Sequence, residues 1–150
     1  MANVLCQIRG TKRLMLYPPS DILHLRIPHG GSSSSINFFD PDASDIKRLS
    51  QTHPVEVILR PGEILFIPPL WAHTACPSDG ISVSVNTFFR DLESGYAAGR
   101  DVYGNRDLQA YEDGRRDIEK IFKRFRHLPP TTSQFYLDRL AEELKDMCQE

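Results

Sequence analysis

His73 is the residue of this chain best suited to chemistry. It closes the stretch Arg60-Pro61-Gly62-Glu63-Ile64-Leu65-Phe66-Ile67-Pro68-Pro69-Leu70-Trp71-Ala72-His73. A Pro-Gly turn opens a short apolar strand and a Pro-Pro pair ends it, because proline fixes φ and glycine permits the turn. The histidine is therefore expected at the end of a rigid strand, at the mouth of whatever that strand encloses, where a neutral imidazole can ligate a metal. The same placement suits a hydrogen-bonded structural histidine beside a tryptophan. A second polar set follows in Ile81-Ser82-Val83-Ser84-Val85-Asn86-Thr87-Phe88, which alternates with the period of a half-buried strand. Ile81, Val83, Val85 and Thr87 share one face; Ser82, Ser84 and Asn86 share the other. Small polar side chains aimed into a barrel leave room for a ligand and supply hydrogen bonds, whereas aimed outward they are ordinary solvated residues. A third set is basic: Arg115, Arg116, Lys120, Lys123, Arg124 and Arg126 are diluted only by Asp117 and Glu119. Such a cluster can neutralise nucleic-acid phosphates, or it can be the solvated face of a helix.

These groups need a scaffold, and the local patterns describe one. Val4 to Ile8 and Arg13 to Tyr17 read as strands joined by a hairpin turn over Arg9-Gly10-Thr11-Lys12. Ser20 or Asp21 can cap one helical turn over Ile22 to Leu25. Residues 28–45 form a loop whose serine run, 32–35, is a surface excursion rather than a phosphate cradle, because no helix signal follows it. Asp45 to Gln51 is a short helix, and strands follow at Val55 to Leu59, Glu63 to Ile67 and 81–88. After Phe89 helix formers take over. Asp107 caps a helix to about Arg126, with Tyr111, Ile118, Phe122 and Phe125 near one face and Gly114 as a local weakness. Leu128-Pro129-Pro130 breaks the chain, and Thr131 with Gln134 forms a capping box for a second helix to about Met147. On that helix Leu137, Leu140, Leu144 and Met147 form an apolar seam for a partner helix. The pattern predicts a mostly β fold with C-terminal helices: a β core over residues 1–90 and a helical extension over 91–150.

Bulk properties set limits. A chain of 150 residues can build one domain with a substantial core, and a formal charge of -2 rules out a dominant whole-chain attraction to nucleic acid. Cys6, Cys76 and Cys148 are dispersed and odd in number, which points to a reduced, cytoplasmic setting. No apolar run reaches the length of a membrane span.

The N-terminal segment MANVLCQIRGTKR and the strand that leads to His73 resemble the JmjC/cupin-like oxygenases. The resemblance implies a partial double-stranded β-helix, the cupin or JmjC jelly roll, followed by a helical hairpin. It also implies roles. The histidine matched by His73 completes an Fe(II) site. The turn lysine matched by Lys12 pairs with the distal carboxylate of 2-oxoglutarate. The asparagine matched by Asn3 contributes to the same pocket, and that matched by Asn86 lies close to the cosubstrate. The residue types suit the task, since a buried dicarboxylate needs a cation and amide donors. Read alone, Lys12 in a hairpin turn is an ordinary solvated lysine.

More narrowly, GYAAGRDVYGNRD at residues 95–107 and the helix entry from Leu128 to Leu140 resemble the C-terminal JmjC domain of the fungal tRNA wybutosine-synthesizing protein 4 family. The related wybutosine hydroxylase and other small JmjC hydroxylases share parts of this pattern. In the protein 4 family a methyltransferase domain using S-adenosylmethionine and a propeller precede the JmjC domain, and neither is present here. The family's His-x-Asp pair, which supplies the other metal ligands, would precede Met1, so the expectation is an N-terminally truncated chain with an incomplete metal site. His24, His29, His53 and His127 lack the strand context to replace it. Three functions follow from the resemblance. The first is the JmjC portion of a tRNA-modifying enzyme acting on phenylalanine tRNA. The second is an Fe(II)/2-oxoglutarate hydroxylase of protein or RNA. The third is a non-catalytic module for RNA contact or for homodimerisation through the C-terminal helices. In the RNA readings, Arg115, Arg116, Lys120, Lys123 and Arg124 are the expected contacts.

Overall fold

The computed structural model describes residues 2–78, 80–89 and 109–148. The chain divides into two compact units, Met1–Leu108 and Gln109–Glu150. The signature at 95–107 and the cap expected at Asp107 lie outside the described residues.

The first unit carries six strands: β1 Ala2–Arg9, β2 Lys12–Tyr17, β3 Val55–Leu59, β4 Ile64–Ile67, β5 Ala72–Pro77 and β6 Val83–Phe89. They form two antiparallel three-stranded sheets, ordered β4-β1-β6 and β3-β2-β5. The hairpin β1–β2 therefore crosses between sheets instead of pairing with itself. Its turn depends on Gly10, at φ +70, where an added Cβ would stand 2.3 Å from the Ile81 carbonyl oxygen. No other residue type fits both the conformation and the approach.

The sheets pack face to face over Leu5 and Ile67 from one and Leu14, Leu16 and Leu59 from the other, with Val57, Leu65 and Trp71 packed against them. Leu14 is fully buried, which contributes about 1.5–3 kcal/mol of transfer free energy. This is the expected mostly β fold, a partial double-stranded β-helix with C-terminal helices.

Part of the outer face of the β3-β2-β5 sheet is covered by the segment between β2 and β3. Tyr17, on that face, packs against Phe38 in a tilted pair with ring centroids 5.1 Å apart, and the Arg13 guanidinium lies 5.4 Å from the Phe39 ring centre. This segment holds a 3₁₀ turn, Pro19–His24, and a helix α1, Ala43–Leu49. Asp42 caps α1 by accepting from the Asp45 N–H at 2.8 Å, so the helix starts earlier than its expected first residue, Asp45. Asp21 is buried and does not cap the 3₁₀ turn. It accepts from the His53 backbone N–H at 2.6 Å and faces the His53 ring at 3.1 Å. Burial would raise its pKa, but the His53 N–H, the His53 ring and the Ser20 hydroxyl outweigh burial and hold the carboxyl below the usual aspartate range.

The second unit holds α2, Gln109–Phe125, and α3, Pro130–Met147. The expected capping box is not formed. Pro129 occupies the cap position of α3 without a side-chain bond, and the Gln134 amide donates to Asp138 instead. Pro130 stands in the first turn, where its missing N–H costs nothing. Leu137 and Leu140 are half-buried, while Leu144 and Met147 are exposed.

Candidate functional site

Register decides which side chains share the space between the sheets. In β1, Asn3, Leu5 and Gln7 lie opposite Phe88, Asn86 and Ser84 of β6, and Leu5 belongs to the core. Asn3, Gln7, Ser84 and Asn86 therefore face inward, as the alternation of β6 predicts. In β2, Lys12 has the same parity as the core residues Leu14 and Leu16, and His73 of β5 lies opposite Leu16. All four expected site residues, Asn3, Lys12, His73 and Asn86, thus belong to the inner faces of the two sheets. His73 departs from expectation in one respect. Pro68 to Trp71 form a turn with Leu70 at φ +66, and the histidine is the second residue of a new strand, β5, not the tail of the preceding one. The Pro-Pro pair hid that strand, because Thr74 is the only β-branched residue in the six that follow the turn.

The inner surface is polar and only partly satisfied. Lys12 Nζ donates to Ser84 Oγ, a bond that ties one sheet to the other. Asn3 is 3% exposed, and among the described residues neither its amide nitrogen nor its oxygen has a partner. An amide buried in that condition costs free energy unless something else completes it. Gln7, which sequence reasoning passed over, is as deeply buried; its amide nitrogen lies 2.8 Å from each of the Arg9 and Gly10 carbonyls and 2.9 Å from Ser82 Oγ, so its two N–H groups are shared among three acceptors. It clamps the β1–β2 turn to β6. Its signal was present in the strand, where polar Asn3 and Gln7 flank Leu5 on the face that should be apolar.

His73 is exposed, and its Nδ1 lies 3.4 Å from the Trp71 carbonyl, too long for a firm hydrogen bond. Besides facing the interior, it borders a cavity of about 370 Å³ beneath the loop that precedes α1. Among the described residues, no three His, Cys, Asp or Glu side chains converge to hold a metal.

Residues 1–95 match the family described as cupin-like domain. The chain belongs to the cupin-like domain family. This cupin-like chain is 61% identical over 146 residues to the tRNA wybutosine-synthesizing protein 4 of Aspergillus oryzae, covering 97% of the chain and 14% of that protein. It is 56% identical over 150 residues to the protein of the same name from Neurospora crassa, covering 97% of the chain and 12% of the relative. With the tRNA wybutosine-synthesizing protein 5 of Danio rerio it shares 36% identity over 141 residues, 94% of the chain and 43% of that protein. The cupin-like chain therefore spans a small part of the fungal relatives it matches.

The two cofactors implied by the fold fare differently. The orphaned Asn3 amide and the Lys12 ammonium fit a carboxylate-bearing ligand such as 2-oxoglutarate. The described residues do not fit Fe(II), for which a facial site needs two further donors beside His73. On α2, Arg116, Lys120, Lys123 and Arg124 are exposed and Arg115 is half-buried. Arg116 pairs with Asp113 and Lys120 with Asp117, whereas Arg115, Lys123 and Arg124 make no ion pair among the described residues. No described helix is long and apolar enough to cross a membrane.

Proposed function

We propose that this chain is the JmjC-type portion of a tRNA-modifying enzyme of wybutosine biosynthesis that acts on phenylalanine tRNA in the cytoplasm. The observation that carries the reading is 61% identity across 97% of the chain to a protein named for that synthesis. The geometry supports a ligand-holding role within it. Lys12 supplies a charge-assisted donor to one carboxylate of 2-oxoglutarate, Asn3 supplies amide hydrogen bonds, and Asn86 borders the same space from β6. When bound, 2-oxoglutarate supplies reducing equivalents through its oxidative decarboxylation. The chain's own residues bind and orient it and keep its charge compensated away from bulk water. S-adenosylmethionine belongs to the methyltransferase part of the parent family. Arg115, Arg116, Lys120, Lys123 and Arg124 contact tRNA phosphates, and the exposed apolar residues Leu144 and Met147 of α3 pair with a second copy.

Deleting the gene segment for this chain in the organism that encodes it and analysing phenylalanine tRNA nucleosides by mass spectrometry tests the reading. Wybutosine should disappear or give way to a precursor; an unchanged profile overturns it.

The lack of converging metal ligands among the described residues favours a second reading, a non-catalytic module that binds a dicarboxylate and RNA. Anaerobic Fe(II) calorimetry separates the two. A tight one-to-one site abolished by His73→Ala is incompatible with the module.

A further inference from the structure

The cavity beneath the loop before α1 has walls of a particular chemistry. Tyr17, Phe38 and Trp71 give it aromatic faces, and Leu25 and Ile36 give it a buried apolar base. Ser32 and Ser33 contribute hydroxyls that make no hydrogen bond among the described residues, while Ser34 is already engaged by the Ile36 N–H. Ala72, His73 and Thr74, which begin β5, complete the lining. Among the described residues β5 is an edge strand, paired with β2.

Among the described residues, no lysine, arginine, aspartate or glutamate lines this space. An ionic group placed there would lose its hydration with no counter-charge. A purely aliphatic group would make no use of the serine hydroxyls or of the π faces of the aromatic walls. What satisfies both the flat aromatic walls and the mixed donors and acceptors is a neutral, planar heterocycle with an N–H and C=O edge. Its volume, about 370 Å³, lies in the range of small-molecule sites and exceeds what a single planar ring system needs.

We propose that this cavity is a nucleobase pocket that takes one unstacked base of an RNA, held against Trp71 and Phe38 and read at its edge by Ser32, Ser33 and the start of β5. This rests on the tRNA reading for the identity of the ligand's source, but not for the chemistry of the pocket. Recognition of an extruded base by stacking together with edge hydrogen bonds is how proteins commonly handle single-stranded RNA.

Trp71 is the chain's single tryptophan, so its fluorescence reports directly on the wall of the cavity. Guanosine 5′-monophosphate should quench it saturably at millimolar concentration, while ribose 5-phosphate should not. An unmodified phenylalanine tRNA transcript should quench it at lower concentration. Ser33→Phe, on an exposed loop position, should fill the cavity and weaken both by at least about ten-fold, whereas Val85→Thr, on the exposed outer face of the other sheet, should leave both unchanged. Absence of quenching by guanosine monophosphate, or equal quenching by ribose 5-phosphate or by phenylalanine amide, overturns the base assignment. If the tRNA binds by anisotropy but Trp71 does not respond and Ser33→Phe has no effect, the pocket is wrong and the tRNA reading survives. If guanosine monophosphate quenches and the tRNA does not bind, the pocket stands and the tRNA reading fails.

Discussion

Strands β2 and β6 flank the same interior but turn opposite chemistry toward it. β2 presents Leu14 and Leu16 inward, 0% and 4% exposed, and sends Arg13 outward to Glu56. β6 does the reverse. Ser84 and Asn86 face in, while Val83 and Val85 face out at 44% and 56% exposure. One strand builds the core and the other builds a lining. The outer faces differ correspondingly. Residues 18–54 cover part of the β3-β2-β5 sheet, where Tyr17 is buried although Ile58 stays exposed, whereas Ile64, Phe66, Val85 and Phe89 on the outside of the other sheet remain exposed among the described residues. The inverted strand leaves one wall of the interior polar, while the apolar core comes from Leu5 and Ile67 of its own sheet and Leu14, Leu16 and Leu59 of the opposing one.

The comparison breaks most severely at Leu14. Leu14→Ala should lower stability by about 2–5 kcal/mol, the range for buried leucines that leave a cavity. Urea titration followed by circular dichroism measures it. A loss below about 1 kcal/mol would mean that β2 is no more a core strand than β6.

Lys12 sits where the two strands meet. Lys12→Ala should weaken 2-oxoglutarate binding about ten- to a hundred-fold, since a charge-assisted hydrogen bond is worth roughly 1.5–3 kcal/mol. Its effect on folding should be much smaller, because the ammonium is half-buried and bonds only a hydroxyl. Calorimetry with the dicarboxylate checks the first part and urea titration the second. Equal affinity in the variant would place the ligand elsewhere.

This division of labour was largely legible before any coordinates. The alternation of β6 assigns Ser82, Ser84 and Asn86 to one side, and Arg60-Pro61-Gly62-Glu63 is indeed a turn, closed by the Glu63 N–H on the Arg60 carbonyl at 3.0 Å with Gly62 at φ +86. Proline and glycine act locally, so local sequence carries their meaning. Sequence did not show β5, whose pairing with β2 is non-local, nor the bond from Lys12 to Ser84, which depends on how the sheets face each other. The roles of Asn3 and Lys12 came from resemblance alone. What the structure adds is a reason for Asn3, a buried amide that has nothing to bond among the described residues.

The cover over the second sheet gives a pH test. Asp21 has a folded-state pKa held below its ordinary value. The stability it contributes is therefore complete above the unfolded aspartate pKa of about 3.9 and is lost as pH falls through the lower folded value. Acidification below about pH 4 should loosen residues 18–54 first, seen as faster amide exchange there than in β1 or β6. Asp21→Asn should remove this acid-dependent step. Uniform exchange across both sheets would mean that the cover is not latched by Asp21.

The smallest effect belongs to the outer face of β6. Val85→Thr keeps the β-branched shape and the strand preference while adding a hydroxyl. On an exposed position water satisfies that hydroxyl, so stability should change by no more than about 0.5 kcal/mol. The same substitution at a covered position would leave the hydroxyl without a partner, at a cost of roughly 1–3 kcal/mol. Val85→Thr therefore reports on whether anything sits over the β4-β1-β6 sheet in solution. Measured by urea titration at two protein concentrations, a small, concentration-independent change sustains the inverted reading of β6. A loss above about 1 kcal/mol that grows with protein concentration would show that a second copy covers this face, and that both strands bury apolar side chains after all.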